Sequence, residues 1–282
     1  AVTAGCRFFF FFSITPATTI FNTMLKLLPP KGGICLQGED EIASIGFCLG
    51  AAMSGLKVMT ATSGPGISLY SEQISFAVGS EIPIVIIDVQ RGGPSTGLPT
   101  KSEQSDLFQA CFSAHGDTVR PVLAPISVKD TFFLTVEAFN IAEQYQTPVI
   151  LLSDQEIAQR KETLILPDTS GLEVVERRRP TEAELEDYQR FRHTESLVSP
   201  ISHPGMPGGN YLASGIEHTE SGTPTASGEA HARMNKKRID KAEELQTQLG
   251  GYKVGSQKYN DTLQEVQRTE INRRVWLEMK QQ

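Results

Sequence analysis

Three short stretches of the chain combine residue types that can do chemistry. The first is the acidic triplet Glu39-Asp40-Glu41, which follows the apolar run Ile34–Gln37 and opens a segment of helical period. Acidic groups at a helix start meet the positive end of the helix dipole, and Asp40 carries an N-cap side chain. A carboxyl held there in an apolar, dehydrated place is poised to share a proton. Glu41, next to the core-facing helix, is so placed, and Glu39 is its local competitor. The second stretch is Arg91 and its loop, directly after the apolar run Ile84–Val89. Ligands of parallel sheets gather at this C-terminal strand edge, and the planar guanidinium fork suits two-point binding of a carboxylate. Gly92, Gly93, Pro94 and Gly97 let the loop fold tightly beside a ligand. The third is Thr15-Pro16, which reads as an N-cap hydroxyl with proline at the first position of a helix running through Ile20 and Leu27. Lys101, Arg120 and His115 are further cations that could meet a second carboxylate, and equally serve as ordinary surface residues.

The elements that must position these groups are legible as apolar runs bounded by turn residues: Phe8–Phe12, Ile34–Gln37, Val58–Thr62, Ile84–Val89 and Val149–Leu152. Segments of helical period separate them, which predicts an α/β fold, a parallel sheet with helices on both faces. Ile42, Ile45, Leu49 and Met53 fall on one stripe that ends at Gly55 as a C-cap, and Val128, Phe132, Val136, Phe139 and Ala142 stripe a second helix over residues 127–145. After Arg160 the periodicity fades. Residues 161–228 are rich in Pro, Gly, Ser and Thr and read as an extended connector or arm. Polar helices are expected over Glu229–Gln248 and Leu263–Met279. The predicted organisation is an α/β domain over 1–160, the connector, and a helical tail over 229–282.

Composition bounds the function. The 282 residues carry a net charge of −7, with 39% apolar and 21% charged residues. That is an acidic globular chain without the basic excess that nucleic-acid binding requires. Phe8–Phe12 is too short to span a bilayer and lacks signal-peptide flanks, so no membrane span is expected and the location expected is cytoplasmic. Cys6, Cys35, Cys48 and Cys111 contain no C-x-x-C pair, which argues against a zinc or iron–sulfur site on this chain; they read as buried, reduced thiols. The chain opens on Ala1-Val2-Thr3 without an initiator Met, so its natural N-terminus is expected to lie upstream.

Glu41 begins an E-x-A-x-x-x-x-x-x-G-A string, followed by Lys57–Thr62 and Thr62-Ser63-Gly64-Pro65-Gly66. This succession resembles the pyrimidine-binding domain of thiamine-diphosphate enzymes. Together with Ser13-Ile14-Thr15-Pro16, Gln90-Arg91-Gly92-Gly93-Pro94-Ser95-Thr96-Gly97-Leu98-Pro99-Thr100 and His115-Gly116-Asp117, it resembles the α subunit of 2-oxoacid:ferredoxin oxidoreductases, most closely the 2-oxoglutarate type. The family's usual Y-P-I-T-P reads Phe12-Ser13-Ile14-Thr15-Pro16 here, and its second α/β domain is absent or truncated.

The resemblance implies coenzyme A-dependent oxidative decarboxylation of a 2-oxoacid, or its reductive reverse, with electrons passed to ferredoxin. It implies Glu41 and Thr15 as catalytic residues, Arg91 and Thr15 as substrate contacts, and Glu41, Ser13, Ile14 and Arg91 as contacts to thiamine diphosphate. Glu41 is preferred over Glu39 by its spacing to Gly50. No metal ligands are expected on this chain; Mg and a [4Fe-4S] cluster are expected on a β partner, without which the chain is inactive. The same reaction on pyruvate, or a non-catalytic scaffold paralogue, are the alternatives.

Overall fold

Strand β4 (Ile84–Gln90) is buried at every position and lies inside a six-stranded sheet of order β2-β1-β3-β4-β6-β5, every pair parallel. The computed structural model describes residues 1–249, and the helix expected over 263–279 lies outside them. In chain order the elements are β1 (Phe8–Phe11), α1 (Thr18–Leu27), β2 (Ile34–Gln37), α2 (Glu41–Met53), β3 (Val58–Thr62), α3 (Gly64–Gly79), β4, α4 (Leu107–Phe112), β5 (Val122–Leu123), α5 (Val128–Tyr145), β6 (Pro148–Asp154), α6 (Gln155–Gln159), α7 (Glu182–Leu185) and α8 (Gly228–Leu249). Residues Ala1–Glu243 form one compact unit. No helix among the described residues is long and apolar enough to cross a membrane.

The phenylalanine tract shows why the sheet is covered on both sides. Successive strand residues point to opposite faces. Phe10 accordingly stacks on Phe47 of α2, centroids 4.5 Å apart, while Phe11 stacks on Phe21 of α1 at 5.3 Å. On the α2–α3 face Phe10 joins Ile45, Leu49, Ile67, Ile74, Ile86 and Ile150 in one core. Each such side chain, fully buried, contributes roughly 1.5–3 kcal/mol.

Several elements differ from the sequence pattern. β5 is only two residues long and offers no periodicity to read. Ile42, placed on the core stripe of α2, is 47% exposed, and Ile45 and Leu49 carry the packing. Cys6, Cys35 and Cys48 are buried free thiols, and Cys111 is half-buried.

The segment after Arg160 is poor in secondary structure, yet buried arginines fix it to the helices that cover the sheet and to the loops that end them. Arg177 bonds both carboxylate oxygens of Glu143 on α5 (2.6 and 2.7 Å) and the carbonyls of Ala52 and Leu56, each at 2.6 Å. Arg190 donates to the Glu81 carbonyl at 2.7 Å. The Glu81 carboxylate takes Lys237 and Lys241 of α8 at 2.7 and 2.8 Å, with all three side chains buried.

Candidate active site

Two β-to-α crossings build the site at the C-terminal edge of the sheet. After β2 the chain passes Gly38 and Glu39 to Asp40, whose extended backbone and Oδ1, accepting the Ala43 amide at 2.6 Å, start α2. That cap makes Glu41 the first helical residue. Glu41 is 8% exposed and Glu39 lies open to solvent. The triplet thus divides its work: Asp40 supplies the cap, and Glu41 is the member taken out of water.

After β3, Ser63 donates its hydroxyl to the Val89 carbonyl at 2.8 Å, and Pro65 sits in the first turn of α3. Gly66 lies against both Thr62 and Glu41: a Cβ there would stand 1.8 Å from Thr62 Oγ1 and 3.0 Å from Glu41 Cγ. Glycine is required by that approach, which packs the Thr62–Gly66 turn against the acidic side chain. No donor among the described residues bonds the Glu41 carboxylate.

Arg91, one residue past β4, is 5% exposed and donates Nη1 to the Thr15 carbonyl at 2.7 Å, leaving its buried Nε without a partner among the described residues. Burial lowers the Arg91 pKa, against the carboxylates of Asp106 and Glu41, which raise it. The loop beyond closes through the Leu98 amide on the Gly92 carbonyl at 2.9 Å, and Gly97 adopts φ +52° where a side chain would strike Gly92.

Thr15 meets Arg91 through its backbone. Its side chain does not cap α1, a correction to the sequence reading: α1 starts three residues later at Thr18, and its N-cap, Ala17, has no capping side chain. The turn over Thr15–Ala17 keeps the amides a Thr15 cap would need out of the helix. The Thr18 hydroxyl takes the Ile14 carbonyl at 3.3 Å instead and lies 3.4 Å from the Ser13 hydroxyl. Ser13 is exposed and Ile14 half-buried.

The additional cations are arranged otherwise. Lys101 and His115 are exposed, and Arg120 is buried with Nε on the Ala110 carbonyl at 2.8 Å, so its fork braces the end of α4. Polar residues that sequence reasoning passed over line the inner side of the site. Gln90 accepts the Asp106 amide through Oε1 at 3.1 Å, and Asp106 stands where a Cβ on Gly64 would lie 2.6 Å from its Oδ1. Asp88 is fully buried. A carboxylate inside the run Ile84–Val89 was the visible signal for it.

Together these groups offer a buried carboxyl without a hydrogen-bond donor among the described residues, and a buried guanidinium fixed by one bond to the Thr15 carbonyl. A guanidinium with N–H groups still to give is equipment for an anionic ligand. The buried Glu41 carboxylate, unpartnered among the described residues, fits a ligand that brings a ring nitrogen to be hydrogen-bonded.

Comparison with known proteins gives the chain a family. Residues 1–237 match the family model described as "Pyruvate flavodoxin/ferredoxin oxidoreductase, thiamine diP-bdg". Over 242 residues the chain is 44% identical to the 2-oxoglutarate synthase subunit KorA of Methanothermobacter marburgensis, covering 86% of this chain and 64% of that protein. The 2-oxoglutarate oxidoreductase subunit KorA of Mycobacterium tuberculosis is 44% identical over 208 residues, 73% of this chain and 31% of its own. Among solved structures, the 2-oxoglutarate:ferredoxin oxidoreductase from Magnetococcus marinus with 2-oxoglutarate, coenzyme A and succinyl-CoA bound superposes with a TM-score of 0.82 at 43% identity, over 87% of this chain and 43% of that one. The chain therefore spans a little under two thirds, at most, of the length of these three relatives.

Proposed function

The chain belongs to the pyruvate flavodoxin/ferredoxin oxidoreductase family, across its thiamine diphosphate-binding region, and from that premise we propose that it is the α-type subunit of a 2-oxoacid:ferredoxin oxidoreductase acting on 2-oxoglutarate. The observation that carries the reading is the buried Glu41 carboxyl, left unpaired under the Gly66 turn and sharing its electrostatic surroundings with Arg91.

Thiamine diphosphate, when bound, supplies the nucleophilic carbon that takes a 2-oxoacid through decarboxylation. Glu41 is assigned to the ring nitrogen of the aminopyrimidine, where its Oε atoms share a proton and hold the ring in its reactive tautomer. Burial suits that task, because a carboxyl out of water gives and takes a proton without a solvent competitor. Arg91 is assigned to the carboxylate of the oxoacid; the Thr15 carbonyl takes one of its N–H groups, and the others are assigned to the ligand. Ser13, Ile14 and the Thr15 side chain are assigned to the rim of the cofactor and substrate site.

The diphosphate half of the site, Mg and a [4Fe-4S] cluster are assigned to a β chain, with ferredoxin accepting electrons, coenzyme A the acyl group, and the cytoplasm as location. The open apolar face formed by Phe47 on α2 and Ile34 and Leu36 on edge strand β2, each 47–58% exposed, supports a covering chain on that side. The test uses the chain with its co-purifying partners. Thiamine-dependent reduction of a viologen dye by 2-oxoglutarate is expected for wild type and Glu39→Gln and lost in Glu41→Gln. Full activity in Glu41→Gln ends the assignment.

A further inference from the structure

Asp88 is a fully buried acid on a central strand of the sheet. It occupies the middle of β4, in register with Thr62 on β3 and Leu152 on β6, and is 0% exposed. Neither carboxylate oxygen has a hydrogen-bond partner among the described residues. In-register neighbours of a parallel sheet share a face, so Asp88 lies on the side of Thr62 and, two residues on, Gln90. Gln90 holds the backbone of Asp106 there, and Asp106 is 7% exposed with an unpartnered Oδ2 of its own. The two carboxyl groups therefore lie on the same side of the sheet, with Asp106 packed against Gly64.

A bare carboxylate in such a place forfeits its hydration with nothing in return, and two of them repel. One proton removes both penalties. The surroundings say which residue keeps it. Burial, and then the charge of Asp106, push the Asp88 pKa well above the ordinary carboxylate value. Asp106 is also raised by burial, and Glu103 adds to that, but the Arg91 amide and guanidinium both favour its ionised form. The remaining charges at this edge are Glu41, which acts on Arg91, and Asp154 on β6, whose oxygens accept the Ile157 amide and the Gln104 side chain at 2.9 and 2.7 Å.

We propose that Asp88 and Asp106 form a proton-sharing carboxyl pair, with Asp88 protonated and Asp106 carrying the charge that faces Arg91, and that the pair sets how firmly Arg91 holds an anionic substrate. Both are positioning residues: they act through Arg91. The second half of the proposal rests on the assignment of Arg91 to the oxoacid carboxylate. Loss of the proton would add a negative charge next to Asp106, the carboxylate that acts on Arg91, and so alter the field in which Arg91 meets the substrate's own carboxylate.

Infrared spectroscopy of the full chain with its co-purifying partners tests the first half. A C=O stretch from a buried protonated carboxyl is expected in wild type at pH 7 and is lost in Asp88→Asn. Thermal unfolding gives a second reading. A carboxyl whose folded pKa is raised loses stability as pH climbs from the unfolded value through the folded one. Asp88→Asn is therefore expected to melt at or above wild type at pH 7, the gap closing as pH falls into the ordinary carboxylate range. In Asp106→Asn the neighbouring charge is gone, and the wild-type band is expected to titrate away at lower pH.

For the second half, the KM for 2-oxoglutarate is expected to rise several-fold in wild type as alkaline pH removes the proton, and to stay flat in Asp88→Asn. No band in wild type, a lower melting point for Asp88→Asn at every pH, or an unshifted band in Asp106→Asn overturns the pair. A band with a wild-type KM that ignores pH overturns the link to Arg91. A protein that shows the band and melts as expected but turns over no 2-oxoacid supports the pair and fails only the functional reading.

Discussion

Arg177 ties three parts of the molecule together, and its removal is expected to have a large effect. Its guanidinium is 5% exposed and its partner Glu143 2%, so Arg177→Met leaves a carboxylate stranded in the interior. Removing one member of a buried ion pair costs about 3–5 kcal/mol, because the survivor keeps its desolvation penalty without its counter-charge. Two carbonyls at the C-terminal end of α2, Ala52 and Leu56, lose a donor as well. For a domain of this size each kcal/mol moves the melting temperature by about 2–4 °C, so the expected drop is about 6–20 °C. Circular dichroism melts of wild type, Arg177→Met, Glu143→Leu and the double variant measure it. The double variant is expected to recover most of the loss, since a buried pair replaced by apolar side chains of similar volume is often neutral. A drop of less than about 2 °C in Arg177→Met, or no recovery in the double variant, would show that the pair is not carrying the attachment of this segment.

Two further outcomes follow from the same structure. Arg91→Ala is expected to raise the KM for 2-oxoglutarate with little change in thiamine affinity, measured by steady-state kinetics of the loaded complex; unchanged substrate kinetics would remove it from the site. At Glu81 burial alone would raise the carboxyl pKa, but Lys237, Lys241 and Arg190 outweigh it and hold the group below the ordinary range. Stability from Glu81 is then complete above the unfolded carboxylate pKa and drains away as pH falls below it, so Glu81→Gln is expected to flatten the acid side of a melting-temperature profile between about pH 5 and pH 2. A profile as steep as that of wild type would refute this.

Much of the fold could be read directly because its signals are local. Five apolar runs bounded by turn residues correspond to five of the six strands, and Asp40 and Gly55 bracket α2, with Gly55 at φ +98°. β5 escaped because two residues carry no period. Thr15 misled for a related reason: Thr-Pro before an apolar stripe has the composition of a helix start, and whether the amides that follow are helical depends on a turn that pattern alone does not fix. The candidate site was partly legible. Glu41 and Arg91 sit at strand ends, where position implies a role, whereas Asp88 and Asp106 gain theirs from burial and from one another.

The sequence by itself determined the alternation of strands and helices, the strand-end placement of Glu41 and Arg91, and the glycine at 66. Each is a matter of residue type at short range: period, cap and the absence of a Cβ. Tertiary structure decided which acid of the triplet leaves water, since Glu39 and Glu41 differ little in composition and fully in exposure. It decided that Thr15 meets Arg91 through a carbonyl 76 residues away in the chain. It also decided that a polar segment rich in Pro and Gly is fixed by buried arginines as well as by the buried side chains of Phe191, Val198 and Ile201. Burial and long-range hydrogen bonding depend on what packs against a residue, and no window of neighbouring residues contains that information.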